Sequence, residues 1–388
     1  MASSWPPVSA ASLAMSENLA VYVHWPFCKS KCPYCDFNSH ESDAIDHARW
    51  HKALIRELGH FENETKNRPA GSIFFGGGTP SLMEPETVAG IINNINNLSD
   101  DAQITLEANP TSSEAGRFRE FRDAGVNRLS LGVQSFEDAA LGFLGRTHSA
   151  REAREAIELA ARIFPRFSFD LIYARPLQTV AQWRAELALA LEFAPSHLSA
   201  YQLTVEPGTR FFSDGIEGAP EDTAATMYEA TQDVLAGLPA YEISNHALPG
   251  HECRHNLATW RGDDYVGVGP GAHGRLSKAF VTDAIRQIRD PAKWLEAVEK
   301  EGHGTSERRT LSPTERAEEL LLSGLRTAEG IDRARFKDRC ALGLDDVIDQ
   351  DAVNELVRAG FMERDAARLR ATPAGRQRLN AVLSRLLA

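Results

Sequence analysis

Short apolar runs alternate with amphipathic segments through the first half of the chain, and this alternation restricts the fold more than any other feature. The runs are rich in Val, Ile, Leu, Phe and Tyr, as strands buried on both faces of a sheet are. They occupy residues 19–27, 72–76, 104–108, 128–133, 167–173 and 198–205. Repeated βα units predict parallel strands with right-handed crossovers, and six units are too few for a complete eight-unit barrel. The sequence therefore predicts an α/β fold built on a partial (βα)6 TIM-like barrel, open on one side.

The pattern divides the chain into three parts. Residues 1–18 are rich in Ala, Ser and Pro and carry no Lys or Arg, which predicts a disordered extension rather than a signal or transit peptide. Residues 19–300 hold the barrel and a Gly-rich extension of it. Residues 307–388 predict helices with short strands, and 368–375 looks like the wing strand and helix start of a small winged-helix-like domain. With 15 basic and 14 acidic residues, that domain is expected to be a protein-facing lid or docking module rather than a DNA-binding one.

Composition and charge exclude several classes of protein. The chain has 388 residues, 43% hydrophobic and 25% charged, as globular proteins do. No run approaches the roughly 18 to 20 apolar residues of a membrane span. The formal net charge of −12 argues against tight non-specific binding of nucleic acid, so no nucleic-acid partner is expected. In the absence of a targeting pattern, the expected location is the cytoplasm.

Three of the five cysteines are crowded into one loop. Cys28, Cys32 and Cys35 have the spacing CxxxCxxC directly after the first predicted strand, where the loops of a parallel barrel form its active face. Crowded thiols in a long chain indicate a metal site in a reducing compartment. Three thiolates satisfy three irons of a [4Fe–4S] cluster and leave the fourth iron for a small molecule, S-adenosylmethionine (SAM), to chelate. The spacing alone also allows a zinc site that lacks one ligand, or three unrelated thiols.

Further motifs follow the cysteine loop: GGGTPS at 76–81, EANP at 107–110 and GVQSF at 132–136. With CxxxCxxC, they make the chain resemble the radical SAM family of oxygen-independent coproporphyrinogen III oxidases. The stretches DLIY at 170–173, YEISN at 241–245 and CRHN at 253–256 are similar to its HemW branch, the heme chaperones. The resemblance covers nearly the whole chain from residue 21. It implies a [4Fe–4S] cluster, SAM and heme as cofactors.

The resemblance also implies a SAM site at the carboxyl ends of the barrel strands. Its residues are Tyr22, Tyr34, Gly77, Gly78, Glu107, Gln134, Arg146 and Asp170. Gly77 and Gly78 would let the methionyl amine approach the backbone, and Arg146 would pair with the SAM carboxylate. Asp170, placed at the end of the fifth strand, would accept from the ribose hydroxyls, and Tyr34 would shield the cluster and touch the adenine. The alternatives are a tight turn for the glycines and a helix cap or surface charge for the polar side chains.

Three positions depart from the family patterns. Phe37 stands where the oxidases carry a further cysteine, which favours the chaperone branch. Thr259 replaces the tyrosine of the HNxxYW motif at 255–260. Arg175 lies in an Ala-Arg-Pro stretch where the family usually has Gly-Leu-Pro, and this arginine is expected to alter the substrate opening.

A heme carrier needs an axial ligand, and His255 is the leading candidate. We expect Asn256 to orient its ring, as residues behind a ligand do. His246 and Cys253 are the other candidates near it in sequence. The alternative for His255 is a histidine that only hydrogen-bonds the backbone.

The expected function is that of a HemW-type heme chaperone, which binds heme and transfers it to an acceptor hemoprotein. A respiratory, membrane-associated acceptor and an electron donor such as flavodoxin or ferredoxin fit that function. The alternative is an oxygen-independent coproporphyrinogen III oxidase, which Phe37 disfavours. A radical SAM enzyme that modifies tRNA is disfavoured by the acidic net charge. The sequence does not decide whether SAM is turned over, and so leaves open whether the protein is an enzyme.

Overall fold

The structure, a computed structural model, describes residues 19–42, 44–65, 68–278 and 280–387. The proposed disordered extension, residues 1–18, lies outside the described residues. The strands are β1 (Leu19–Trp25), β2 (Phe27–Cys28), β3 (His40–Glu41), β4 (Ala70–Gly77), β5 (Leu98–Ala108), β6 (Arg128–Gln134), β7 (Arg166–Tyr173), β8 (His197–Gln202), β9 (Asn245–Ala247), β10 (Tyr265–Val268), β11 (His273–Lys278), β12 (Val281–Gln287), β13 (Thr305–Thr310), β14 (Ile331–Asp332), β15 (Met362–Arg364) and β16 (Arg368–Ala371).

Helices separate these strands. They are α1 (His47–Thr65), α2 (Pro85–Asn93), α3 (Ser112–Ala115), α4 (Phe118–Asp123), α5 (Asp138–Phe143), α6 (Ala150–Ile163), α7 (Val180–Glu192), α8 (Arg210–Ser213), α9 (Glu221–Val234), α10 (Arg254–Trp260), α11 (Pro291–Glu301), α12 (Pro313–Gly324), α13 (Arg333–Cys340), α14 (Gln350–Arg358), α15 (Pro373–Gln377) and α16 (Leu379–Leu386). Helix α1 illustrates why they pack on the sheet, because Trp50, Leu54, Leu58 and Phe61 recur every three or four residues and are buried.

Strands β1, β4, β5, β6, β7 and β8 pair in parallel in that order. The prediction of a partial (βα)6 barrel is therefore confirmed. Two additions extend the sheet beyond the six predicted strands. Strand β10 pairs in parallel with β1 and continues into antiparallel β11, β12 and β13, while β9 pairs antiparallel with β8 at the other edge.

Successive side chains of each barrel strand point to opposite faces of the sheet, and this separates a packed apolar face from a polar interior. In β1, Val21 and Val23 join the hydrophobic core between the sheet and its helices. Tyr22 and His24 point to the opposite face and line a cavity. The barrel therefore places polar side chains inside, below the loop that carries the three cysteines.

The C-terminal part forms a second, smaller core. Strands β14, β16 and β15 make an antiparallel sheet in that order, and Leu321, Phe336 and Leu369 are buried between it and the surrounding helices. The prediction of a winged-helix-like region is confirmed. An ion pair joins this region to the end of helix α10. Arg261, which caps α10, donates through its guanidinium to both carboxylate oxygens of Glu329 at 2.5 and 2.8 Å. Across the residues described, no helix combines the length and the apolar character needed to cross a membrane.

Candidate functional site

The cysteine loop leaves β1 and folds back on itself. Cys28 is buried at the end of β2, and the backbone N–H of Cys35 donates to the carbonyl of Cys32 at 3.1 Å. Thr79 Oγ1 donates to Cys28 Sγ at 3.4 Å, and Arg146 Nη1 donates to Cys32 Sγ at 3.3 Å. Burial raises the pKa of the Cys28 thiol, and the hydrogen bond from Thr79 opposes that rise. Donors aimed at sulfur favour the thiolate, the form that binds metal.

The three thiols suit a cluster with several irons. In the described part of the chain, no three His, Cys, Asp or Glu side chains stand close enough around one point to hold a single metal ion. A cubane cluster instead takes each thiolate at a different iron. Cys28, Cys32 and Cys35 would hold such a cluster, and the guanidinium of Arg146 beside Cys32 would offset part of its negative charge.

Gly77 is the last residue of β4 and Gly78 follows it beside this loop, and packing requires both to be glycine. Gly77 has a φ of +116°, and a Cβ on it would lie 2.7 Å from the carbonyl oxygen of Trp25. A Cβ on Gly78 would lie 2.7 Å from the carbonyl oxygen of Phe27. The two glycines therefore let β4 end directly against the cluster loop. Approach of a SAM amine to the same backbone stays a prediction.

Two carboxyl groups, Glu107 and Asp170, interact inside the barrel. Burial, followed by the charge of Asp170, raises the pKa of Glu107 to about 8. Burial raises the pKa of Asp170 to about 6, against the effect of a hydrogen bond from Ser199. A cationic ligand would favour the ionised forms of both carboxyl groups, and SAM carries a sulfonium cation. The fifth predicted strand corresponds to β7, and Asp170 lies inside β7, three residues before its end. The predicted position of Asp170 at the end of this strand was therefore wrong.

Arg146 and Gln134 stand side by side near the cluster loop. Gln134 Nε2 and Arg146 Nη2 lie 3.1 and 3.3 Å from the point that a Cβ on Gly132 would occupy. Arg146 Nη2 donates to the carbonyl of Gly132 at 2.9 Å and to Asn109 Oδ1. Gln134 Oε1 and Arg146 Nε are buried without a hydrogen-bond partner. This acceptor and this cation match the ammonium and carboxylate of an amino-acid group, which fits the methionyl end of SAM.

Tyr22, His24 and His255 form an aromatic wall of one cavity. Tyr22 Oη lies 2.9 Å from His24 Nδ1, and His24 Nε2 lies 2.9 Å from the carbonyl oxygen of Asn38. The Tyr22 ring stacks on His255 with 5.8 Å between centroids. The cavity has a volume of about 620 Å³ and also contacts Gly77, Glu107 and Thr259. Tyr34 lies elsewhere, 6.3 Å from the ring of Phe211.

Of the three candidate heme ligands, His255 alone lines this cavity. His246 is 1% exposed with Nδ1 3.2 Å from the carbonyl oxygen of Leu238, and Cys253 is 0% exposed. His255 lies in helix α10, with its Nδ1 buried and unpartnered. The expected support from Asn256 was therefore wrong. Burial lowers the pKa of His255 to about 4, so its imidazole is neutral at pH 7 and can bind a metal.

Arg175 does not face the opening, and the expectation that it alters the substrate opening was wrong. Its guanidinium is buried and donates to Glu186 Oε2 at 2.9 Å. Glu186 Oε1 accepts from the hydroxyl of Ser135 and from the backbone N–H of Phe136 at 3.0 Å. The Arg175–Glu186 pair therefore connects the loop after β7 to the turn that follows Gln134. Gln134 itself has a φ of +67°. The contribution of the pair is to hold that turn in place.

Sequence reasoning missed several residues of the cavity, among them the basic side chains His273, Arg286 and Arg289. They come from the hairpin of β11 and β12 and from the residues just after it. The Gly-rich turn at 267–271 precedes this hairpin and was the one signal available for it. Phe37 also lines the cavity and is 59% exposed.

Comparison with known proteins places this geometry in a family. Residues 22–190 match the family model of the radical SAM superfamily, and residues 311–378 match that of the HemN C-terminal domain. The chain is 40% identical to the bovine "Radical S-adenosyl methionine domain-containing protein 1, mitochondrial", over 96% of this chain and 88% of that protein. The chain belongs to the radical SAM superfamily. Radical SAM domains use a [4Fe–4S] cluster with SAM, and the CxxxCxxC loop is the cluster motif found here.

Two bacterial proteins are also similar to this chain along nearly its whole length. The "Heme chaperone HemW" of Escherichia coli is 36% identical, over 95% of this chain and 98% of that protein. The solved structure of coproporphyrinogen III oxidase (HemN) from Escherichia coli superposes with a TM-score of 0.81 at 20% identity, over 96% of this chain and 90% of that chain. The superposition on the HemN structure shows that the two chains share one fold along nearly their full length.

Proposed function

We propose that the protein is a heme chaperone that binds heme in the cavity below its cluster loop and transfers it to an acceptor hemoprotein. The observation that carries this proposal is a neutral, unpartnered imidazole, His255, in an aromatic cavity of about 620 Å³. That size lies within the range of about 300–1,000 Å³ common for ligand sites. The likeness to heme chaperones along nearly the whole chain supports the proposal.

The residues around His255 prepare it as an iron ligand. Its ring packs against both Tyr22 and Phe74, with centroids 5.8 and 5.1 Å away, which restricts its rotation. Thr259 Oγ1 donates to the carbonyl of His255 at 3.0 Å, one helical turn away. Because Thr259 lines the same cavity in place of the family's tyrosine, its smaller side chain leaves more room there for a flat macrocycle.

The cluster and SAM, when bound, supply one-electron radical chemistry. In our proposal Cys28, Cys32 and Cys35 hold the cluster, while Gln134 and Arg146 orient the methionyl group. An electron donor of the flavodoxin or ferredoxin type would reduce the cluster. We propose the cytoplasm as the location, residues 19–300 as the radical SAM core, and residues 307–388 as a module that docks the acceptor.

The alternative activity, coproporphyrinogen III oxidation, is tested by an anaerobic assay with the reconstituted protein, SAM, a reductant and coproporphyrinogen III. We expect no protoporphyrinogen, because Phe37 occupies the position of the oxidases' additional cysteine. A parallel titration of the same sample with heme should give a Soret band. Repeated turnover to protoporphyrinogen would overturn the chaperone proposal.

A further inference from the structure

We propose that Arg286 and Arg289 bind the two propionate carboxylates of heme at the rim of the cavity. This inference rests on the proposed function and extends it to the recognition of one edge of the ligand. It places the carboxylates of a porphyrin at the solvent-facing hairpin and the iron toward His255, on the inner wall.

The cavity has opposite chemical character at its two ends. The inner wall is formed by stacked rings, with Tyr22 packed on His255 at 5.8 Å. The rim contains Arg286 and Arg289, both exposed, together with Phe37 from the cluster loop. A planar ligand with an apolar body and carboxylates along one edge matches this arrangement. Heme has that shape, because both of its propionates extend from the same side of the macrocycle.

The two arginines have spare capacity to bind carboxylates. Among the described residues, Arg289 is hydrogen-bonded only through its backbone, whose carbonyl accepts from Asn38, and its side chain has no hydrogen-bond or ion-pair partner. Arg286 has Glu307 as its ion-pair partner, at 3.5 Å, and both side chains are about half exposed. An exposed pair of this kind contributes little and is readily exchanged for another carboxylate. The planar guanidinium presents two parallel N–H groups, which suits a carboxylate better than an ammonium does.

Basic side chains predominate around His273, where burial and then three arginines lower its pKa and one glutamate opposes them. His273 is the cross-strand partner of Arg286, and its pKa is lowered by burial and then by the neighbouring arginines. The nearest acid to Arg289 in sequence is Asp290, whose Oδ1 accepts from the backbone N–H of Lys293 at 2.9 Å as the cap of α11. This local basic edge contrasts with the net charge of −12 of the whole chain. Such an edge favours an anionic group on the ligand.

The rim is hydrogen-bonded to the cluster loop, and these bonds fix the position of the backbone that carries Arg289 relative to the cavity. Asn38 Nδ2 donates to the carbonyl oxygen of Pro270 at 3.0 Å and to that of Arg289 at 2.9 Å. Gly271, with a φ of +78°, allows the turn between these contacts, since a Cβ there would lie 2.6 Å from Asn38 Nδ2. The backbone that carries Arg289 is therefore fixed before a ligand arrives.

The test compares heme with heme dimethyl ester, in which both propionates are esterified. Wild-type protein should bind heme about tenfold more tightly than the ester, as expected for charge-assisted hydrogen bonds at an exposed edge. The double variant Arg286→Gln/Arg289→Gln should bind both porphyrins with the affinity of the wild type for the ester. Arg309→Gln is the matched control, since Arg309 is an exposed arginine of the same sheet that is paired with Glu315; it should keep the preference.

An EPR measurement shows whether the double variant affects the SAM site as well as the heme site. The EPR change that SAM produces in the cluster should be the same in the double variant, because the arginines are assigned to heme and not to the SAM carboxylate. If the double variant kept the wild-type preference for heme, or if the wild type had none, the inference would be overturned while heme binding stood. Failure of the folded, reconstituted wild type to bind either porphyrin would overturn the proposed function as well.

Discussion

Replacement of any one of Cys28, Cys32 and Cys35 by Ala is expected to abolish stable assembly of the cluster. Each thiolate holds a different iron, and the loop offers no substitute, since Cys253 and Cys340 are buried elsewhere. Wild-type protein reconstituted under anaerobic conditions should contain about four irons and four sulfides per chain. Addition of SAM should change the EPR spectrum of its reduced cluster.

Cys340→Ala is the control for this series. Cys340 packs in the C-terminal core with its Sγ 3.2 Å from the carbonyl oxygen of Phe336, so its loss should cost stability without reducing iron content. Iron and acid-labile sulfide are measured on the folded fraction of each variant. A full cluster in the variant that lacks all three loop cysteines would contradict the assignment of the metal site.

His255→Ala is expected to remove most of the heme affinity and to change the Soret spectrum, with little effect on thermal unfolding. The reason is that Nδ1 of His255 makes no hydrogen bond, so the ring contributes to stability chiefly by stacking on Tyr22 and Phe74. Both quantities are measured on the same preparation, by heme titration and by thermal unfolding.

His246→Ala provides the opposite pattern and serves as the control. His246 is 1% exposed and lies 3.2 Å from the carbonyl oxygen of Leu238 through Nδ1, so its removal should lower the unfolding temperature. Heme affinity per folded molecule should stay unchanged. If His255→Ala left the Soret band and the affinity intact, His255 would not be the ligand, and His24 and His273 would be the histidines of the cavity left to examine.

The barrel and the cluster loop could be predicted from the sequence because each has a local signature. A strand buried on both faces is a nearly continuous apolar run, and β7 at Arg166–Tyr173 differs by one residue from the predicted 167–173. Cys28, Cys32 and Cys35 are close in sequence, so their spacing alone brings the thiols into one loop. Neither prediction depended on contacts between distant segments.

The rest of the site depends on contacts that no local pattern records. Arg286 and Arg289 reach the cavity because antiparallel β11 and β12 extend the sheet past β1, in a stretch with no apolar run to indicate it. Arg175 was misplaced because its partner, Glu186, lies 11 residues further along and is buried with it. Ion pairs and edge strands of this kind are settled by tertiary packing rather than by neighbours in sequence.

Titration of the anaerobically reconstituted wild-type protein with heme, followed at the Soret band, tests the central claim most directly. The claim predicts a single saturable phase that ends at one heme per chain, with the cluster still in place. Absorbance that rises without saturation, as for heme adsorbed at random, would contradict the claim that this protein is a heme carrier.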